Sequence, residues 1–365
     1  MTGAPLDQGL AIELRWDGER VTSVILRSRR LVGLPRVFEG QAPDRVIAAM
    51  PRLFALCGRA HRLAAALALG AEAASPEAVL AVEAERIREW LLQILLVWPT
   101  LVDEPPRSDA MRLASRLVQA LLTAVESQDV AGARTALTRL EALVAAEVLG
   151  EPPAVFAARD ADALAEWVSR RGGRAAAVVA AAPPSTTQIL PPFLPPLLES
   201  EDLPKVVAAL DGDAGWNFVA RPQLDGRCRR TGVIFAGGGA LPVLGRILLA
   251  RLRRLAVALA ERDFHSSAVV SASVGWACVD TARGWLVHRA ALEAGRVVRY
   301  RILAPTEWNC HPQGVAARLL RGLQADDAAR LRRSARWVLT AVDPCITAEV
   351  RVCRRSERVE VDADA

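Results

Sequence analysis

The chain is 365 residues long, 52% apolar and 24% charged, with a formal net charge of +5; that balance excludes a disordered chain and allows a sizeable core. Aromatic residues make up only 5%, and the many Ala, Leu and Val residues favour helix-rich packing with small side chains. The basic residues, nearly all Arg, are scattered and accompany no nucleic-acid-binding motif, so no nucleic-acid partner is expected.

Residues 10–40 open with "LAIELRW" and "VTSVILRS" on either side of Asp17-Gly18, a hairpin signal. Residues 43–70 change to helical spacing and end at Gly70, a C-cap residue. Ser75-Pro76-Glu77 puts an N-cap and a first-turn proline in the favoured order, heading a helix that runs to about Trp98. After Pro105-Pro106, the apolar spacing of Arg107–Leu149 predicts two antiparallel helices hinged near "SQDVAG", followed by shorter helical pieces over 151–182. The proline-rich stretch 183–204 predicts an extended loop, either a linker or a strap for a partner. From about 216, "GWNFVARPQLDGRCRRTG" predicts a strand and a turn around Asp225-Gly226, and then a helix over roughly 241–262. "GWACVDTARGWLVHRAALEAGRVVRYRILAP" predicts a hairpin turning at Glu293–Gly295. The loop "TEWNCHPQG", two helices and a corner at Asp343-Pro344-Cys345 complete the pattern.

The apolar run Trp90–Val102 contains Pro99 and falls short of the ~20 residues that span a bilayer. The uncharged run 175–198 is interrupted by six prolines. With no N-terminal signal pattern, a cytoplasmic protein without membrane insertion is expected.

The cysteines at 57, 228, 278, 310, 345 and 353 are too irregularly spaced for a disulfide framework, which leaves buried thiols, reactive thiols or metal ligands. Cys57 and His61 are four apart on a helix and share a face, so they form a candidate metal pair; the plain alternative is a buried Cys and a surface His. At the DPC corner, Pro344 fixes the backbone before Cys345, and Asp343 is placed to accept hydrogen bonds beside a thiolate. Arg283 precedes Gly284 in "TARGWLVHR", and His288 follows five residues after Arg283; the alternative is an exposed arginine and a half-buried histidine. "PTEWNCHPQG" is rigid at both prolines and reads as architectural. "FAGGGALPVLG" lacks the Gly-Lys-Ser/Thr of a phosphate loop and reads as a turn before a helix. There is no C-x-x-C and no convincing Ser-His-Asp arrangement.

Taken in order, these motifs resemble the large, catalytic subunit of nickel-iron hydrogenases, over about 11–75 and again 215–352. "ELRWDGERVTSVILRS…RVFEG" resembles that family's N-terminal hairpin and R-G-x-E segment, with Glu39 in the glutamate place. "LCGRAHRLAAALALGAE" is similar to the I-C-G-x-C motif with its following histidine. "WNFVARPQLDGRCRRTG" is similar to the segment leading to E-x-G-P-L-A-R, without the Glu. "ARGWLVHR…RYRILAPTEWNCHP" resembles P-R-G-x-L-x-H…P-T-x-W-N-x-x-P, and "DPCITAEVR" falls where D-P-C-x-x-C-x-x-H ends the mature subunit. The resemblance implies that Cys57 and Cys345 are retained terminal thiolates, while the bridging thiolates are replaced by Ala60 and Ala348. The first motif is also shortened, which loosens the Ala60 match, and the C-terminal histidine is Arg351.

With half the thiolate charge gone, hydrogen turnover is not expected. The resemblance narrows to the large-subunit-like hydrogenase expression/formation proteins of the HupK/HoxV type. It implies an α+β, predominantly helical fold: a helical bundle core with small β-hairpin sheets, forming a single domain over 1–365. Within it, 1–75 carries the hairpin and first Cys motif, 76–182 a helical insertion, and 183–204 the proline-rich loop. The later motifs fall in 205–352 and a tail in 353–365. The resemblance also implies a non-catalytic scaffold that transiently holds an iron-cyanide-carbonyl unit on Cys57 and Cys345, without nickel. Arg283 and Asp343 would surround the cyanide and carbonyl ligands, and Glu39, His61 and His288 would support them. Implied partners are hydrogenase maturation proteins and the hydrogenase large subunit precursor. A metal-free assembly chaperone and a divergent metalloenzyme are the alternatives. The scaffold reading requires Cys57 and Cys345 to converge across 288 positions of sequence.

Overall fold

The computed structural model describes residues 9–71, 74–183, 194–232, 241–260 and 268–354. Its seven strands among these residues are β1 (Leu10–Trp16), β2 (Val21–Ser28), β3 (Val269–Ser273), β4 (Trp276–Thr281), β5 (Gly284–Glu293), β6 (Arg296–Leu303) and β7 (Ala348–Arg354). The Asp17-Gly18 signal becomes the antiparallel β1–β2 hairpin. Alternation along β1 buries Leu10, Ile12, Leu14 and Trp16 on one face, at roughly 1.5–3 kcal/mol for each large apolar side chain.

No strand is expected from the sequence after the DPC corner. β7 forms there, pairs in parallel with β1 from Leu10↔Ala348 to Trp16↔Arg354, and completes a sheet in the order β2-β1-β7. Parallel pairing between segments more than 300 residues apart leaves no local hairpin signal to read. The second sheet has the order β3-β4-β5-β6. It contains the expected Glu293–Gly295 turn, with Ala294 and Gly295 at φ 47° and 72°, and a second tight turn at Ala282-Arg283.

Helices supply most of the remainder. Pro43–Leu53 and Gly58–Ala68 pack against β4–β6 in one apolar cluster. Pro76–Leu92 begins at a Ser75 cap whose hydroxyl accepts from the Ala78 N–H. The two helices expected within Arg107–Leu149 are Ser108–Glu126 and Val130–Val144, broken at Ser127–Asp129. Together with Val243–Ala260 and Ala328–Val342 they build the largest cluster, which also covers the inner face of β1.

The expected strand at 216 is instead the helix Gly215–Ala220. Trp216 has the guanidinium groups of Arg36 and Arg301 over its ring, Phe218 packs edge-on to Trp308, and Val219 is buried; these tertiary contacts override the strand propensity. The Asp225-Gly226 turn forms as expected, with both residues at positive φ and Leu224 bonded to Arg227 in both directions. Most of the proline-rich loop, the glycine run at 233–240 and most of the tail lie outside the described residues. No helix among the described residues is long and apolar enough to cross a membrane.

Candidate functional site

The side chains singled out by the motifs are held by contacts between segments far apart in sequence. Cys57 is the residue from which the Gly58–Ala68 helix starts. The N–H groups of Arg59 and Ala60, left unpaired at a helix start, donate to the Glu85 carboxylate at 2.8 and 3.2 Å. Glu85 comes from Pro76–Leu92, which one turn later also presents Glu89. The C-terminal end of Ala328–Val342 stops because Asp343 adopts left-handed backbone at φ 54°, and Pro344 prevents continuation. Cys345 follows that stop.

The Arg283 turn is fixed from both sides. Thr281 Oγ1 accepts from the Arg283 N–H and donates to the Gly284 carbonyl. Asn309, from the "PTEWN" segment, accepts from the Thr231 N–H and donates to the Thr231 carbonyl, while Thr231 Oγ1 accepts from the Trp285 N–H. Behind the turn, Trp90 donates its indole N–H to the Ala282 carbonyl, with Arg86 and Arg254 over its ring and both paired to Asp280. Arg283 is therefore buried at 7% exposure, not an exposed arginine. Its Nη2 donates to Glu89 at 3.2 Å, its Nε donates to the Asp343 carbonyl at 3.2 Å, and Nε lies 3.5 Å from Asp343 Oδ2. Arg251 donates to the carbonyls of Thr340 and Ala341, closing the same helix end.

Cys345 Sγ receives a hydrogen bond from Arg30 Nη1 at 2.9 Å and lies 3.0 Å from Thr306 Oγ1. Arg30 Nε also pairs with Glu307 at 3.1 Å. Neither Arg30 nor Thr306 was expected from the sequence. Arg30 reads as part of a charged run after the hairpin, and Thr306 as one element of a rigid loop. Desolvation pushes the Cys57 thiol up; the charges of Cys345 and Glu85 push it further, and Arg283 and Arg30 oppose them. Cys310, also buried, is raised by desolvation and then by Cys345 and Glu307. Even so, among the described residues no group of three or more His, Cys, Asp and Glu is disposed to hold a metal ion.

His61 and His288 come together, but in a separate role. His288 Nε2 lies 2.9 Å from His61 Nδ1 and His288 Nδ1 lies 2.8 Å from Tyr300 Oη, all buried. Both nitrogens of His288 are occupied, so it supports His61 and is no ligand. Burial lowers His288 to about 3 and, with the charges of His288 and Arg30, holds His61 well below the usual range. Two neutral rings are satisfied if Tyr300 donates to His288 and His288 donates to His61. Phe54 stacks on His61 at 3.7 Å. Glu39 requires a correction. It is exposed, and its backbone N–H closes the Leu34–Phe38 turn, while its neighbour Phe38 packs on Tyr300.

Burial raises Glu85 to about 7 against the Arg59 and Ala60 N–H bonds. A carboxyl whose folded pKa exceeds its unfolded value of 4.5 binds more protons when folded, so its contribution to stability falls as pH rises from about 4.5 to 7. Glu85→Gln is expected to flatten that part of the stability profile, measured by urea unfolding at pH 5, 6 and 7.5. An unchanged slope would show that Glu85 ionises normally.

No family model matches the chain. It is 33% identical over 361 residues to the hydrogenase expression/formation protein HupK of Rhizobium leguminosarum bv. viciae, covering 90% of this chain and 92% of that protein. HupK of Azotobacter vinelandii is 30% identical over 359 residues, covering 94% and 98%. HoxV of Cupriavidus necator is 30% identical over 346, covering 85% and 88%. Among solved structures, the Ni-Fe-Se hydrogenase of D. vulgaris Hildenborough in the as-isolated oxidised state superposes with a TM-score of 0.61 at 12% identity, covering 90% of this chain and 94% of that one. A NAD+-reducing NiFe hydrogenase in the H2-reduced state gives 0.54 at 14% identity, covering 90% and 93%. The hydrogenase large-subunit-like fold expected from the motifs is the fold observed.

Proposed function

Because the chain belongs to the hydrogenase expression/formation proteins of the HupK/HoxV type, we propose that it acts in nickel-iron hydrogenase formation as a non-catalytic scaffold for an iron-cyanide-carbonyl unit. The observation that carries this reading is the hold on Cys345, whose sulfur takes a hydrogen bond from Arg30 and lies beside Thr306, in a chain where the resemblance puts Ala60 and Ala348 at the family's bridging thiolates. Two thiols are a sparse donor set for a bare metal. They suit an iron atom that arrives with its remaining ligands attached.

The surroundings fit such a cargo. Arg283 is held by Glu89 and Asp343 before anything binds, and guanidinium N–H groups are matched to cyanide nitrogen. Asp343 Oδ2 lies 3.5 Å from Arg283 Nε and so helps to fix the guanidinium. The raised Cys57 thiol holds its proton until metal displaces it, so loading releases protons and is favoured by rising pH. Losing the bridging thiolates lowers affinity and eases hand-over to the hydrogenase large subunit precursor; maturation proteins are the expected donors. Hydrogen turnover is not part of this function.

The test is infrared spectroscopy and iron analysis of protein purified anaerobically from cells that express the maturation machinery. Cyanide and carbonyl bands with about one iron per chain are expected, lost in Cys57→Ala and in Cys345→Ala. A blank spectrum and no iron, in protein that still supports hydrogenase formation, would leave a metal-free chaperone. Tight metal retention with turnover of a substrate would leave a metalloenzyme.

A further inference from the structure

We propose that the cleft flanking Cys345 binds a small polyanion through its carboxylate or phosphate groups. The cleft, about 440 Å3, lies between the end of β2 with the segment after it, the end of the Gly215–Ala220 helix, and residues 306–312. That volume lies within the ~300–1,000 Å3 typical of small-molecule sites and exceeds what one inorganic phosphate fills. Arg27, Arg30 and Arg221 line it. Glu307 is the one carboxylate in its lining, and that group is engaged by Arg30 and the Ala304 N–H. Arg27 and Arg221 are exposed and have no acidic partner among the described residues. The cleft therefore carries an excess of positive charge that the fold does not neutralise.

His311 supplies an independent observation. It is 5% exposed and lines the same cleft. Its Nδ1 accepts from the Gln313 N–H at 3.0 Å, which puts the proton of the neutral ring on Nε2. That Nε2 has no hydrogen-bond partner. Burial, with Arg221 beside it, keeps the ring below its usual pKa, so it stays a one-proton donor. An oxyanion, which only accepts, satisfies the two unpaired guanidinium groups together, with the His311 donor set in the wall beside them. Arg30 and Thr306 line the cleft and also contact Cys345 Sγ, so an occupant that recruits Arg30 changes the donors available to that thiol. This inference does not depend on the scaffold reading.

Calorimetric titration of the full chain with inorganic phosphate and, separately, with citrate at fixed ionic strength tests it, with sodium chloride as the control. Saturable binding of at least one probe is expected, weakened about tenfold or more, or ~1.4 kcal/mol, in Arg27→Gln/Arg221→Gln. Both residues are exposed, so this variant should fold normally. His311→Phe should weaken the same probe. Preference for phosphate points to a phosphorylated compound, and preference for citrate to a polycarboxylate. Non-saturable heats matching those of chloride, or binding unchanged in the double variant, would overturn the proposal.

Discussion

Arg283→Met is expected to destabilise the protein by about 3–5 kcal/mol, the range for removing one partner of a buried ion pair. The substitution keeps most of the side-chain volume, so the loss reports charge and hydrogen bonding. It strands Glu89 and Asp343, which are 1% and 3% exposed, although Glu89 keeps a 2.9 Å bond from Arg88. Burial already raises Glu89, and the Arg283 charge is what most opposes that rise. A raised carboxyl favours the folded state when protonated, so its contribution falls as pH increases above the unfolded value of 4.5. The variant widens that gap, and its deficit should be larger at pH 7.5 than at pH 5. Urea unfolding at the two values measures this. A second change, Glu89→Gln, should restore part of the loss. A deficit under about 1 kcal/mol at both pH values would mean that the triad contributes little.

Gly284→Ala is expected to cost about 2–6 kcal/mol, combining positive-φ strain with overpacking against backbone. Gly284 has φ 123°, and an added Cβ would lie 2.6 Å from Thr231 Oγ1 and 2.7 Å from the Gly232 nitrogen. Gly232 meets the same turn from the other side, with an added Cβ 2.3 Å from the Arg283 carbonyl oxygen. Two glycines thus allow two backbones to touch where Arg283 is presented. Gly295→Ala is the control, because Gly295 has φ 72° with nothing within 4 Å of an added Cβ. It should cost only about 1–2 kcal/mol of left-handed strain. Equal losses in thermal melts of the two variants would rule out the close approach as a stabilising feature.

Arg283 and Cys345 were legible because glycine and proline are conformational requirements that survive in sequence: Gly284 announces a close backbone approach and Pro344 a helix stop. The β1–β2 and β5–β6 hairpins were legible for the same local reason. Arg30, Thr306, Glu85 and Glu89 were not. Each reaches the site only through tertiary packing, and the Pro76–Leu92 helix buries Glu83, Arg86 and Glu89 in a pattern that looks like a solvated charged face. Glu39 failed in the opposite direction. A motif position suggested proximity to metal, but the short 34–38 turn leaves it outside. His311 was read only as part of an architectural loop, since an unpartnered ring nitrogen is visible only in three dimensions.

The parallel pairing of β1 with β7 has a consequence for synthesis. β1 leaves the ribosome with its β2 partner, but its other edge must wait while more than about 300 residues are added, on the order of 15–70 s at cellular elongation rates. Cys345 emerges just ahead of β7. A chain interrupted before residue 345 would lack that thiol and also expose an unpaired, apolar-faced strand edge, the feature that invites aggregation. Chains that stop short of β7 would carry that liability, and only chains that extend past Cys345 could present both thiols.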